Sequence, residues 1–426
     1  MTIHVVQPGD TVALIAQQYG VSPQRILTDN GIARTQTLVV GQALLILFPE
    51  TAYTVRPGDT LGAIAEQFGT TVSVLLQNNP SLIFSRTVYP GQTIVIRFKD
   101  PKRREIPVNA YAYPDIQRDV LRRALPYLTY LTIFGYGFTA QGELIPADDT
   151  ELINLAYEYQ TAPVMLLSSI TEEGNFSGER ASLLFRDLQL QNKVLDNVVE
   201  VMLEKGYVGL DIDFEYINAD DREPFTRFVQ NAADRMHQYG FFVNVDLAPK
   251  NSSAQAGLLY EGHDYAALGA AADTVLLMTY EWGYTYGPPM AVAPIDKVRE
   301  VVAYAVTEIP NEKIMLGIPN YGYDWILPFE RGVTRATAIG NQYAVEIAAR
   351  NNAEIQFDQT SQSPYFTYSR NGLNHVVWFE DVRSIQAKLE LLEEFLLRGA
   401  GYWNAMRPFA QNWALLAALY DIRKVV

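Results

Sequence analysis

The chain has 426 residues, with 33 basic against 48 acidic side chains and a formal net charge of −15. A surface this acidic repels phosphate, which excludes nucleic acid as a partner. There is no cysteine to form a disulfide, and the four histidines (His4, His237, His263 and His375) lie without ligand spacing, so neither a metal nor a cofactor is expected. No stretch approaches the ~18 apolar residues that cross a membrane, and Met1 to Asp10 lacks the basic start and apolar run of a cleaved export signal.

The first elements form a repeat. Val6-Gln-Pro-Gly-Asp-Thr11 returns as Val55-Arg-Pro-Gly-Asp-Thr60, a period of about 49 residues, and each copy closes on a Gly-Gln pair, Gly41-Gln42 and Gly91-Gln92. Leu14, Ile15, Tyr19 and Ile26, then Leu61, Ile64, Phe68, Leu75 and Leu76, have helical spacing, and short β-rich runs flank them. Each copy therefore reads as strand, two helices, strand, over residues 1–48 and 51–98. The Pro-Gly-Asp-Thr element predicts a turn running into a helix cap.

Residues 99–105, Lys-Asp-Pro-Lys-Arg-Arg-Glu, carry charge and proline without periodicity and read as a linker. From 106 to 426 short apolar runs alternate with helical patterns such as Ser182 to Lys205, Arg222 to Tyr239 and Val382 to Leu397. Eight candidate strands follow in order: Val108 to Ala112, Leu128 to Tyr136, Val164 to Ile170, Gly206 to Glu215, Phe241 to Leu247, Thr274 to Tyr280, Ile314 to Ile318, and Gly399 to Trp403. This is an α/β pattern, a (β/α)8 TIM-type barrel, with residues 329–379 read as a small α+β insertion between strands 7 and 8.

Within the fourth candidate strand, Leu210-Asp-Ile-Asp-Phe-Glu215, a period of two sets Asp211, Asp213 and Glu215 on one face and Leu210, Ile212 and Phe214 on the other. The apolar face meets helices, so three acids point into the barrel, where burying unpaired charge is costly and packing offers no reason for them. Asp211 and Asp213 are close enough to disfavour double ionisation. Asp213 can pass hydrogen bonding on to Glu215, which lies last in the row, at the mouth, the place of a general acid with a raised pKa.

This row resembles the Asp-x-x-Asp-x-Asp-x-Glu signature of glycoside hydrolase family 18, with the first Asp replaced by Val208, which removes the deepest member of the proton-sharing chain. Leu277-Met-Thr-Tyr-Glu-Trp282 and Gly317-Ile-Pro-Asn-Tyr-Gly-Tyr-Asp-Trp325 are similar to that family's sixth and seventh strand ends. The resemblance implies catalytic roles for Glu215, Asp213, Asp211 and Tyr280, with Tyr280 bonding the substrate acetamido group. It implies substrate binding by Trp403, Glu281 (in place of the usual Asp), Trp282, Tyr321, Asp324, Trp325 and Asn404; for Trp282 and Trp325 core packing is an equal reading.

The repeated modules resemble LysM, which recognises N-acetylglucosamine polymers between the loop after the first strand and the loop before the last. That resemblance implies sugar contacts from Gly9, Asp10, Thr11 and Asn30, and from Gly58, Asp59, Thr60, Asn79 and Pro80. The first copy departs from the usual Asn-Pro continuation, which the second keeps at Asn79-Pro80.

Two LysM copies before a family 18 barrel resemble the spore cortical-fragment-lytic enzymes of spore-forming bacteria. A retaining β-N-acetylglucosaminidase is implied, with peptidoglycan or a chitin-like polymer as partner, spore coat proteins as neighbours and the spore coat or cortex as location. A chitinase, or a non-catalytic sugar-binding coat protein, is the alternative reading.

Overall fold

The computed structural model describes residues 1–426. Its centre is a closed barrel of eight parallel strands: Val108–Ala112, Tyr130–Phe138, Ala162–Ser168, Gly209–Asp213, Phe242–Leu247, Thr274–Leu277, Ile314–Pro319 and Gly399–Trp403. Each pairs with its neighbour in chain order, and the first pairs with both the second and the eighth, which closes the ring. The β/α alternation requires this arrangement, because parallel strands need helical crossovers that cover the outer face.

Three of the expected strands end earlier than the apolar pattern does, the third strand at Ser168. The fourth stops at Asp213 and the sixth at Leu277, so Glu215 and Tyr280 sit on backbone that has already left the ladder. Around Tyr280 the chain closes tight turns, with the Thr279 and Tyr280 amides donating to the carbonyls of Leu277 and Met278. Outside the barrel, Phe214 packs on Phe185, Phe225 and Phe228 from the flanking helices, which is the anchoring that the alternation predicts for the apolar face.

The inserted layer is a five-stranded antiparallel sheet with one covering helix, Asn341–Arg350. It starts at Gly322, earlier than the expected 329, because Gly322–Leu327 pairs with Leu373–Trp378. The charged segment expected as a linker is also pinned. The Lys102 ammonium donates to the carbonyls of Ala417 and Tyr420, Arg104 reaches Glu393 and the Leu397 carbonyl, and Glu105–Ile106 pairs with Asp421–Ile422.

In each N-terminal module two antiparallel strands embrace two helices: Thr2–Val5 with Ala43–Ile46, and Pro49–Thr54 with Thr93–Phe98. Thr11 and Thr60 cap the following helices, accepting from the amides of Leu14 at 3.2 Å and Ala63 at 3.1 Å. Asp10 and Asp59 instead close the turn, each accepting from the amide three residues earlier. Gly9 and Gly58, at φ of 90° and 91°, take the left-handed conformation this turn needs.

Asn30 and Asn79 do not face an open groove. Each is buried, donates to two carbonyls and accepts from an amide of the last strand, Leu45 or Val95, so both side chains tie a helix end to that strand. The first module is docked on the barrel through the loop that contains Asn30: Gln411 donates to Asn30 and to the Ala43 carbonyl, and Gln342 to the Gly31 carbonyl. The second module shares its core with the barrel, with Tyr127 and Tyr159 donating to the Gln77 and Ile83 carbonyls. Cores this small gain stability by such sharing.

Asn79→Ala leaves the Val95 amide and two carbonyls without partners inside the module. At about 1–3 kcal/mol for an orphaned buried group, it is expected to lower the urea midpoint clearly, whereas Gln67→Ala on an exposed helix face moves it by less than ~0.5 kcal/mol equivalent.

Candidate active site

The fourth strand delivers the acids as the period of two requires. Asp211 and Asp213 are buried within the barrel, and Glu215, half-buried, stands at the mouth. A cleft of about 610 Å³ opens there, lined by Asp213, Glu215, Tyr280, Glu281, Trp282 and Trp403 from the expected set. Asp246, Tyr216, Met278, Tyr284 and Tyr323 join them from outside that set.

Burial raises each acid above its ordinary range. It pushes Asp211 up to about 6 against the lowering effect of hydrogen bonds from Asn244, Tyr111 and Thr132. Asp213 is driven well above the carboxylate range by burial and then by the charges of Glu215 and Asp211. Glu215 is raised by burial and by the charge of Glu281. Burial and the surrounding carboxylates push the Tyr280 phenol well up, so its hydroxyl stays protonated and available as a donor. An acid at the mouth whose hold on its proton is strengthened in this way is suited to general acid catalysis.

Asp213 does not hand a hydrogen bond on to Glu215 in this structure: its Oδ1 is buried with no partner at all. A buried acceptor left free at the cleft is available to an incoming N–H or O–H. Opposite the acids, Trp403 packs against Tyr111, Tyr113 and Phe134 with ring centroids 5.5 to 6.0 Å apart, and its remaining face lines the cleft. A flat ring braced in this way offers an apolar platform to the C–H face of a pyranose.

The rest of the expected binding set divides by position. Tyr321 is buried behind Glu281; its hydroxyl and that of Tyr323 both donate to the Glu281 carboxylate and fix its direction into the cleft. Trp325 is a core residue, fully buried, with its indole N–H given to the Gly287 carbonyl at 2.9 Å. Asp324 points into the inserted layer, where it accepts from Tyr368 and contacts His375. Asn404 is buried below the platform and accepts from the Met406 amide. Alternation along Gly322–Leu327 turns Asp324 to the face opposite Tyr323, while Trp325, on the face of Tyr323, is buried beside it with ring centroids 5.5 Å apart.

Asp246 was not among the expected residues, although a signal for it is present. Phe242-Val-Asn-Val-Asp-Leu247 alternates polar and apolar as the fourth strand does, which places Asn244 and Asp246 inside the barrel beside Asp211. Tyr216 and Glu281 flank the acids with φ of 56° and 66°. Left-handed backbone at non-glycine residues is a form of strain that gathers at functional sites.

A closed (β/α)8 barrel with buried acids beneath a sugar-sized cleft and an aromatic platform defines the class of glycoside hydrolases. The chain matches the family described as glycosyl hydrolases family 18 over residues 121–407, and the LysM domain over residues 4–46 and 53–97. It is 41% identical over 431 residues to the cortical fragment-lytic enzyme of Bacillus subtilis, covering 100% of this chain and 99% of that one. The crystal structure of the Bacillus cereus spore cortex-lytic enzyme SleL superposes with a TM-score of 0.84 at 38% identity, covering 99% of this chain and 98% of that one. That of the Bacillus megaterium enzyme SleL also gives 0.84, at 36% identity, covering 100% and 99%. The chain belongs to glycosyl hydrolase family 18, carries two LysM domains and is a glycoside hydrolase.

A carboxyl group raised in the folded state stabilises the fold fully below its unfolded value near 4 and loses that contribution as pH rises through its folded value. Asp213→Asn is therefore expected to melt with the parent at pH 4 and above it at pH 8, with roughly 2–4 °C for each kcal/mol released. Thermal unfolding at the two pH values checks this.

Proposed function

We propose that this hydrolase is a retaining, substrate-assisted β-N-acetylglucosaminidase that cuts after N-acetylglucosamine in peptidoglycan, with spore-cortex fragments as its substrate and the spore coat or cortex as its location. The observation that carries the reading is Asp213, with its free buried oxygen, set between the raised acid Glu215 and the protonated Tyr280 hydroxyl in one cleft. The cortical fragment-lytic and cortex-lytic relatives support the choice of polymer.

Glu215 gives its proton to the leaving oxygen as the bond from that oxygen to the anomeric carbon breaks. The substrate's own acetamido oxygen bonds to the same carbon, while Asp213 accepts the acetamido N–H and Tyr280 donates to the group. Water then adds to the anomeric carbon, returning a proton to Glu215 and reopening the ring, so the configuration is retained. A substrate without the acetyl group has no nucleophile. The exposed turns at Gly9-Asp10-Thr11 and Gly58-Asp59-Thr60, together with Pro80, carry the polymer contacts in this reading, and two modules on one chain raise the effective concentration of substrate.

The test is product analysis by mass spectrometry on purified cortex muropeptides and on chitin oligomers, with the intact protein beside Glu215→Gln. The expected result is fragments with N-acetylglucosamine at the new reducing end and a variant slower by ~10²–10⁴ in kcat. Faster turnover of chitin oligomers makes the protein a chitinase; binding of both polymers with hydrolysis of neither makes it a sugar-binding coat protein.

A further inference from the structure

The carboxyl groups of Asp211, Asp213, Glu215, Asp246 and Glu281 share the barrel and its mouth, and no lysine, arginine or histidine forms an ion pair with any of them. The deepest two, Asp211 and Asp246, are 1% and 3% exposed. They stand on adjacent strands, and one amide nitrogen, that of Asn244, is shared by their Oδ1 atoms.

Their remaining partners are all neutral donors. The Asn244 amide nitrogen donates to Asp211 Oδ1 at 2.7 Å and to Asp246 Oδ1 at 3.0 Å. The Thr274 hydroxyl donates to Asn244 Oδ1 at 2.8 Å, which fixes the amide so that its NH2 faces both acids. Tyr111 donates to Asp246 Oδ1 at 2.8 Å, and Thr132 lies 3.4 Å from Asp211 Oδ2. From the other elements packed here, Asp213 at the end of the fourth strand, Glu215 just past it and Tyr280 after the sixth bring negative charge or a neutral phenol.

Two buried carboxyl groups held on one amide donor repel each other when both are ionised, and a proton on either relieves that repulsion. With no cation to offset a double charge, its desolvation cost goes unopposed.

We propose that Asp246 is a positioning residue of this active site, which shares a single proton with Asp211 so that the deep end of the barrel bears one negative charge and not two. The direction of titration agrees: burial, then the charges of Asp211 and Asp213, hold Asp246 well above the carboxylate range. The remaining single charge sits behind Asp213 and Glu215. It favours the protonated forms of Glu215 and of Asp213, whose partnerless Oδ1 remains free to accept from substrate. This role in turnover rests on the proposed acetamido-assisted hydrolysis; the shared proton does not.

The pair is tested on the full-length protein by net charge, measured as electrophoretic mobility against a charge ladder at pH 6.5. Asp246→Asn and Asp211→Asn are each expected to keep the parent's charge, because each removes a carboxylic acid while the other stays ionised. The double variant is expected to be less negative by one. A change of one in either single variant overturns the proposal, and the two singles serve as checks on each other should one fold poorly.

The role in turnover is read from the alkaline limb of kcat/KM on N-acetylglucosamine oligomers. That limb stays in place in the single variants and moves to lower pH by on the order of one unit in the double variant, which has lost the charge behind Glu215. A limb unmoved in the double variant overturns the role. If the parent hydrolyses nothing, the proposed function fails while the mobility measurement still decides the pair.

Discussion

The molecule is organised around the burial of acidic side chains with no counter-ion. Asp211, Asp213 and Asp246 are each less than 5% exposed, and their environment offers amides, hydroxyls and phenols but no cation. Such an arrangement opposes folding, and it is tolerable only where the backbone is held by something else. The closed ring of eight strands does this, because its ladders and the apolar faces turned toward the helices fix each strand regardless of what its inner face carries. Phe214 shows the coupling most directly: it is locked among Phe185, Phe225 and Phe228, and the next residue is the catalytic candidate Glu215.

The legibility of the site in the sequence follows from the same geometry. The row Asp211, Asp213, Glu215 could be read because strand alternation is strict and three acids on one face have no packing explanation. Asn244 and Asp246 obey the same alternation in a strand that was itself expected, but a single buried acid on one strand acquires meaning only from its neighbours across the ladder. Tyr323 was hidden for another reason. It reaches the cleft from a sheet inserted after the seventh strand, and no local periodicity states which face of an insertion will lean over a barrel mouth.

Asn30 and Asn79 show the opposite limit. A conspicuous asparagine at a turn suggests a ligand contact, yet here each completes three hydrogen bonds between a helix end and a strand. A short module with a small core cannot leave those backbone groups unpaired, and an asparagine amide supplies both donor and acceptor at one point. Asp324 was displaced from the cleft in the same way, by bonds made within the inserted sheet, and Trp325 by burial with its indole N–H on the Gly287 carbonyl, neither of which the composition of the segment discloses.

The docking of the modules changes what two of them can contribute. On flexible tethers the advantage of a second binding unit is set by linker length, and it survives many orientations. Here Gln411 and Gln342 hold the first module, Tyr127 and Tyr159 hold the second, and the segment between modules and barrel is bonded along its length. The module surfaces are thus fixed relative to the cleft, and reach is exchanged for direction. A polymer engaging the outward turns at Gly9 to Thr11 and Gly58 to Thr60 would meet the barrel at a set angle, so orientation of the chain, more than capture of it, is what a rigid pair of modules adds to the hydrolase.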